Sequence, residues 1–143
     1  MYIFSGTLIL RYYELPFERL ICKTRTECFH DPIYLAGRYI KYSRKLPQTA
    51  WLIAGERKNI TSIEEIIGNV LKRELSATDY TFTASGREDV DVRCLGLGRP
   101  FMMEFFEPKR TAFSGDELKH YQKLINTSTD EIKVKNLQYV TWE

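Results

Sequence analysis

Apolar residues recur at helical spacing in two stretches of the chain. Ile63, Ile66, Ile67, Val70, Leu71 and Leu75 form one stripe, introduced by Ser62-Ile63-Glu64-Glu65. A serine followed three residues later by glutamate is a capping box, in which the hydroxyl accepts an amide proton and the acid reaches back. Ser114-Gly115-Asp116-Glu117 repeats the device ahead of Leu118, Tyr121, Leu124 and Ile125, and Asn126-Thr127-Ser128 is the expected stop. Between these helices the period falls to two. Ile33, Leu35, Gly37 and Tyr39 alternate with their neighbours, as do Tyr80, Phe82 and Ala84. Phe101 to Phe106 is apolar on both faces except at Glu104, the pattern of a central strand. Ile132 and Val134 alternate, then Leu137 and Tyr139 alternate one step out of phase, which predicts a bulge near Lys135-Asn136.

The order from Ile33 onward is therefore β-α-β-β-α-β. The expected fold class is α+β: a ferredoxin-like unit with two helices on one face of a sheet, the other face open. Residues 1–28 stand outside this unit as an N-terminal extension, in which Leu20 to Cys28 alternates poorly, and residues 29–143 form the domain. Two connections are longer than a simple turn requires: Lys41 to Lys58, and Gly86 to Pro100, with Gly96-Leu97-Gly98 as a flexible joint. Long connections in a small domain point to function.

Composition narrows the options. The 143 residues suffice for one domain with a sizeable core, and 43% apolar with 28% charged content is that of a globular protein. A net charge of +2 excludes a polycation, so nucleic-acid contact would need a local patch. Three cysteines without paired spacing fit a reducing compartment rather than a disulfide framework. Cys22, Cys28 and His30 make at most a partial metal site, lacking a C-x-x-C pair and a fourth ligand, so no metal is expected. No run of ~18 apolar residues would span a membrane, and Met1 to Leu10 lacks the basic start and small-residue cleavage site of a signal peptide. The expected location is intracellular, in nucleus or cytoplasm.

Both long connections are densely charged. Arg38, Lys41, Arg44 and Lys45 stand with tyrosine and serine hydroxyls and no acid between them, a composition suited to a phosphate backbone. The three cations Arg38, Lys41 and Arg44 cannot share one face of an ideal strand. Ser85-Gly86-Arg87-Glu88-Asp89-Val90-Asp91-Val92-Arg93 packs three acids and two arginines behind a glycine. A carboxylate kept ionised by a neighbouring guanidinium can act as nucleophile or base. On chemistry, Glu88, Asp89 and Asp91 are equal candidates, and a self-balanced ion-pair loop is the plain alternative. Gly96-Leu97-Gly98 lacks the third glycine and the following helix of a dinucleotide site. His30 and His120 have no recognisable partner acid.

Together these segments resemble the pseudouridine synthase 10 family of tRNA-modifying enzymes. The matching pieces are Ala36-Gly37-Arg38-Tyr39 through Arg44, Leu46-Pro47-Gln48-Thr49, Trp51, Gly55-Glu56-Arg57-Lys58, Ser85 through Arg93, Leu95-Gly96, Gly98-Arg99-Pro100-Phe101, Val134, Leu137-Gln138 and Val140-Thr141. The Gly-Arg-Glu-Asp-Val-Asp-Val-Arg string is highly specific and contains the Gly-Arg-x-Asp pattern of several pseudouridine synthases. The resemblance implies that Asp89 is the nucleophilic aspartate. It implies that Arg87 and Arg93 act with the basic segment Arg38, Lys41, Arg44 and Lys45 in holding RNA. It implies isomerisation of a flipped uridine in the T-arm of tRNA, without metal or organic cofactor. The family also has an upstream region with paired cysteines and a second catalytic half carrying Gly-Thr-Tyr-Ile-Lys-Glu, neither of which is matched here. The resemblance thus implies half of a catalytic domain, inactive as it stands, whose partners are tRNA and the missing half. The alternative is a tRNA-binding domain of the same fold that has lost catalysis. A protein-binding adaptor is more remote.

Overall fold

A computed structural model describes residues 25–53 and 55–141. Its elements are β1 (Ile33–Lys41), β2 (Leu52–Ile53), β3 (Glu56–Arg57), α1 (Ile63–Leu75), β4 (Asp79–Ala84), β5 (Cys94–Phe106), α2 (Gly115–Ser128) and β6 (Ile132–Val140). Four strands form one antiparallel sheet in the order β4-β5-β1-β6, and β2 and β3 make a two-residue hairpin inside the connection from β1 to α1. The domain is α+β, with an antiparallel sheet and two helices. Residues 25–32 carry no helix or strand, while most of Leu20–Cys28 lies outside the described residues.

The alternating residues line up as their spacing requires. Ile33, Leu35 and Tyr39 of β1, Phe101, Met103 and Phe105 of β5, and Ile132 and Val134 of β6 enclose one core with Ile63, Ile67, Leu71 and Leu75 of α1 and Tyr121 and Ile125 of α2. Phe105 and Met103 stand opposite Ile33 and Leu35 in the ladder, so their side chains share a face. Both helices start at the expected serines. Ser62 Oγ accepts from the Glu65 amide, and Ser114 makes the full reciprocal box with Glu117.

Two register shifts interrupt the pairing of β1. The β1–β6 ladder slips between Ala36 and Arg38, where Asn136 takes φ 53°; this is the bulge expected from the phase change. The β1–β5 ladder passes from Tyr39↔Arg99 to Lys41↔Cys94, leaving Gly96-Leu97-Gly98 as extra residues. The expected joint is thus a bulge within a longer strand, not a loop before it. Gly98 has φ +78°, and a Cβ there would stand 2.7 Å from the Tyr39 carbonyl oxygen, so a side chain is excluded. Strand β5 therefore begins at Cys94, and the connection after β4 is shorter than expected, residues 85–93.

Candidate functional site

The acid-bearing loop leaves β4 through Gly86, whose φ of +84° turns the chain. Ser85 N–H donates to the Pro100 carbonyl (3.0 Å) and Gly86 N–H to the Ala84 carbonyl (2.9 Å). Beyond this point the loop is held from below. Glu88 is buried. Its carboxylate accepts from the Tyr39 hydroxyl, 2.9 Å from each oxygen, and from Arg99 Nε at 2.7 Å. Arg99 also donates to the Ser85 carbonyl at 2.6 Å. Gln48, buried as well, donates to the Tyr39 oxygen (2.8 Å) and to the Gly86 carbonyl (3.0 Å).

The direction of these bonds is determined by what each group can do. A carbonyl and a carboxylate only accept, so the Gln48 amide nitrogen faces Gly86 and Tyr39, and the single phenolic proton of Tyr39 goes to Glu88. No buried side-chain polar atom of the set is left without a partner, the condition for burying it. Burial, opposed by the Gln48 bond and reinforced by Glu88, holds the Tyr39 hydroxyl well above the usual tyrosine range.

Lys41 provides a second support. Its side chain is fully buried, and Nζ donates to the carbonyls of Asp89 (2.9 Å) and Val90 (2.8 Å). The Asp89 carbonyl also accepts from the Val92 amide at 3.1 Å, closing a turn. Burial pushes the ammonium below its usual range, against the pull of Glu88, Asp91, Cys94 and Asp89. Two strand residues of the same parity, Tyr39 and Lys41, therefore pass under the loop and hold it.

Asp89 itself is exposed. It borders an open cleft of about 490 Å³ with Pro47, Gln48, Trp51, Arg87 and Asp91 among the lining residues. Among the described residues, neither Arg87 nor Arg93 forms a salt bridge with it; the arginine that pairs with an acid of this loop is Arg99, and the acid is Glu88. The balanced ion-pair loop is therefore not what forms.

The cations expected to hold RNA separate. Arg87 shares the Asp89 cleft. Arg44, Lys45 and Arg93 are exposed and are not among its lining residues. Arg38 stands opposite Pro100 on the other face of the sheet and donates to the Leu97 carbonyl on the bulge (3.0 Å). Lys41 is a correction: an ammonium enclosed and committed to two carbonyls is not available to a phosphate. Gln48, Arg99 and the interior role of Tyr39 lie outside what the sequence pattern led us to expect. The signal was present in strand parity, which puts Tyr39 and Lys41 on the core side of β1. Trp51, about 42% exposed, is the aromatic residue lining the cleft. Cys28 and His30 are exposed and Cys22 lies outside the described residues. No helix among the described residues is long and apolar enough to cross a membrane.

The architecture and the loop define a small α+β domain that presents two exposed acids, Asp89 and Asp91, from a backbone fastened to its sheet. The family model described as "Pus10, C-terminal" matches residues 34–143. The chain is 52% identical over 117 residues to the tRNA pseudouridine synthase Pus10 of Mus musculus and 51% identical over 117 residues to that of Homo sapiens. Each alignment covers 82% of this chain and 22% of the relative. It is 43% identical over 121 residues to the tRNA pseudouridine synthase Pus10 of Methanopyrus kandleri, covering 76% of this chain and 27% of that protein. The chain belongs to the Pus10 family, and it spans about a quarter or less of the length of these curated relatives.

Proposed function

We propose that this chain carries the nucleophilic aspartate of a tRNA pseudouridine synthase, that the aspartate is Asp89, and that the target is a uridine in the T-arm of tRNA. The observation that carries this reading is the contrast at Glu88-Asp89: the first carboxylate is buried and fully bonded, while the second faces an open cleft from a backbone held at its own carbonyl. A nucleophile needs this combination of a free functional group and a fixed mount. The family relationship supports the reaction type. The strand order β4-β5-β1-β6 with antiparallel neighbours supports a ferredoxin-like unit.

The chemistry of the isomerisation dictates the steps. The uridine leaves the stack to reach the cleft. Asp89 attacks its ribose or its base, the glycosidic C–N bond breaks, the detached base turns and rejoins through carbon, and the bond to Asp89 breaks to return the free carboxylate. The nitrogen gains a proton and the joining carbon loses one, so no redox partner is consumed. Trp51 offers the ring face against which a base can stack, and Arg87 a cation for the adjoining phosphate.

The test is pseudouridine formation in T-arm RNA by the gene product that carries this chain. Wild type is expected to convert the uridine, and Asp89→Asn to bind RNA without converting it. RNA binding with no conversion by either protein would instead assign a non-catalytic tRNA-binding domain.

A further inference from the structure

The two acids at 88 and 89 are adjacent, and one is buried while the other is exposed. We propose that Glu88 is a positioning residue for the reaction: through Arg99, Tyr39 and Gln48 it sets where the Asp89 carboxylate stands. The inference rests on the reading of Asp89 as nucleophile.

Five acceptors between residues 85 and 90 are tied to side chains from elsewhere in the fold. They are the Ser85 carbonyl to Arg99, the Gly86 carbonyl to Gln48, the Glu88 carboxylate to Tyr39 and Arg99, and the Asp89 and Val90 carbonyls to Lys41. The donors come from β1, from the segment after it and from β5. Glu88 is the one loop side chain among these acceptors, and it joins two donors that the sheet holds opposite each other, Tyr39 and Arg99. Glu88 is buried and bonded while its neighbour Asp89 is exposed at the cleft, so the bonds that hold Glu88 also hold the backbone from which Asp89 projects. A fully satisfied buried network specifies one arrangement and resists its alternatives. In a displacement reaction, a misplacement of about 1 Å costs on the order of a hundredfold.

The experiment compares Glu88→Gln and Tyr39→Phe with wild type in the gene product that carries this chain, with Asp89→Asn as reference. Glu88→Gln keeps the shape but turns an amide toward Arg99. Tyr39→Phe removes one oxygen and leaves the ring in the core. Turnover, KM for tRNA, RNA affinity and melting are measured on the same samples. The expected result is a fall in kcat of about ten- to a hundredfold per folded molecule, with KM and RNA affinity within about twofold. If Glu88→Gln does not fold, Tyr39→Phe decides. Wild-type kcat per folded molecule in the variants, even with lowered melting, would overturn the positioning role while an inactive Asp89→Asn keeps the nucleophile. Turnover by Asp89→Asn would overturn the nucleophile reading and the positioning claim together.

Discussion

The connection after β1 and the loop after β4 are both crowded with charge, yet the fold treats them in opposite ways. In residues 42–61 the support comes mainly from bonds between backbone groups. The amides of Tyr42 and Ser43 donate to the Glu131 carbonyl, and the carbonyls of Pro47 and Gln48 receive the first amides of α1. Leu46 and Gln48 fill the interior, while Arg44 and Lys45 are left in solvent. In residues 85–93 the charges themselves are part of the support: Glu88 is buried as an acceptor, and a lysine from the strand below bonds two carbonyls in succession. Similar charge density gives a solvated basic surface in one case and a mount in the other. What separates them is the position of complementary donors in the sheet, not the number of charges.

The same substitution placed in each region makes the comparison sharp. Lys41→Met removes an ammonium that completes two carbonyls, and is expected to cost about 2 kcal/mol, as charge-assisted bonds are worth ~1.5–3 kcal/mol. Lys45→Met should stay within ~0.5 kcal/mol, as for an ordinary surface position. Denaturant midpoints for the pair measure the difference, and equal losses would show that the two loops are supported alike. RNA affinity should reverse the ranking. Changing Arg44 and Lys45 to alanine together should weaken binding severalfold in low salt and reduce the slope of log affinity against log salt by about 2, one unit per phosphate contact. An unchanged slope would mean that this surface does not meet the backbone.

The smallest effect is on alkaline stability, and its sign differs between the two strand residues under the loop. Lys41 has a depressed value when folded, so the cost of burying its charge is felt at low pH. That cost is relieved as pH rises through the folded value toward the ordinary 10.5. Tyr39 has a raised value, so its contribution is complete below the ordinary 10.0 and is lost as pH climbs through the folded value. Tyr80, pushed up to about 12 chiefly by burial, acts in the same direction as Tyr39. Tyr39→Phe should therefore flatten the loss of stability above pH 10, and Lys41→Met the gain below 10.5. Melting temperatures across that range provide the check.

Much of this fold was legible because its signals are local. The two serine caps, the alternating strands and the phase slip at Asn136 each depend on neighbours within a few residues. The bulge at Gly96-Leu97-Gly98 reads as a flexible joint because glycines at positive φ serve both purposes, and only pairing with β1 distinguishes them. The short β2–β3 hairpin gives too brief a pattern to register. At the site, local charge leaves Glu88, Asp89 and Asp91 interchangeable, and the separation of Glu88 from the two exposed acids depends on Tyr39 and Arg99, 49 and 11 residues away from Glu88 in the chain. Lys41 resembles a free cation because a buried lysine is unusual unless its ammonium finds acceptors, and here those acceptors lie on the distant loop.

The central claim is that a loop locked by its neighbours presents Asp89 to the target uridine. Its most direct measurement is single-turnover pseudouridine formation on tRNA by the gene product that carries this chain, wild type against Asp89→Asn, with RNA binding measured in parallel. The account predicts conversion by wild type and a loss of at least about a thousandfold in Asp89→Asn with RNA binding intact. Conversion by Asp89→Asn at a rate close to wild type would contradict it.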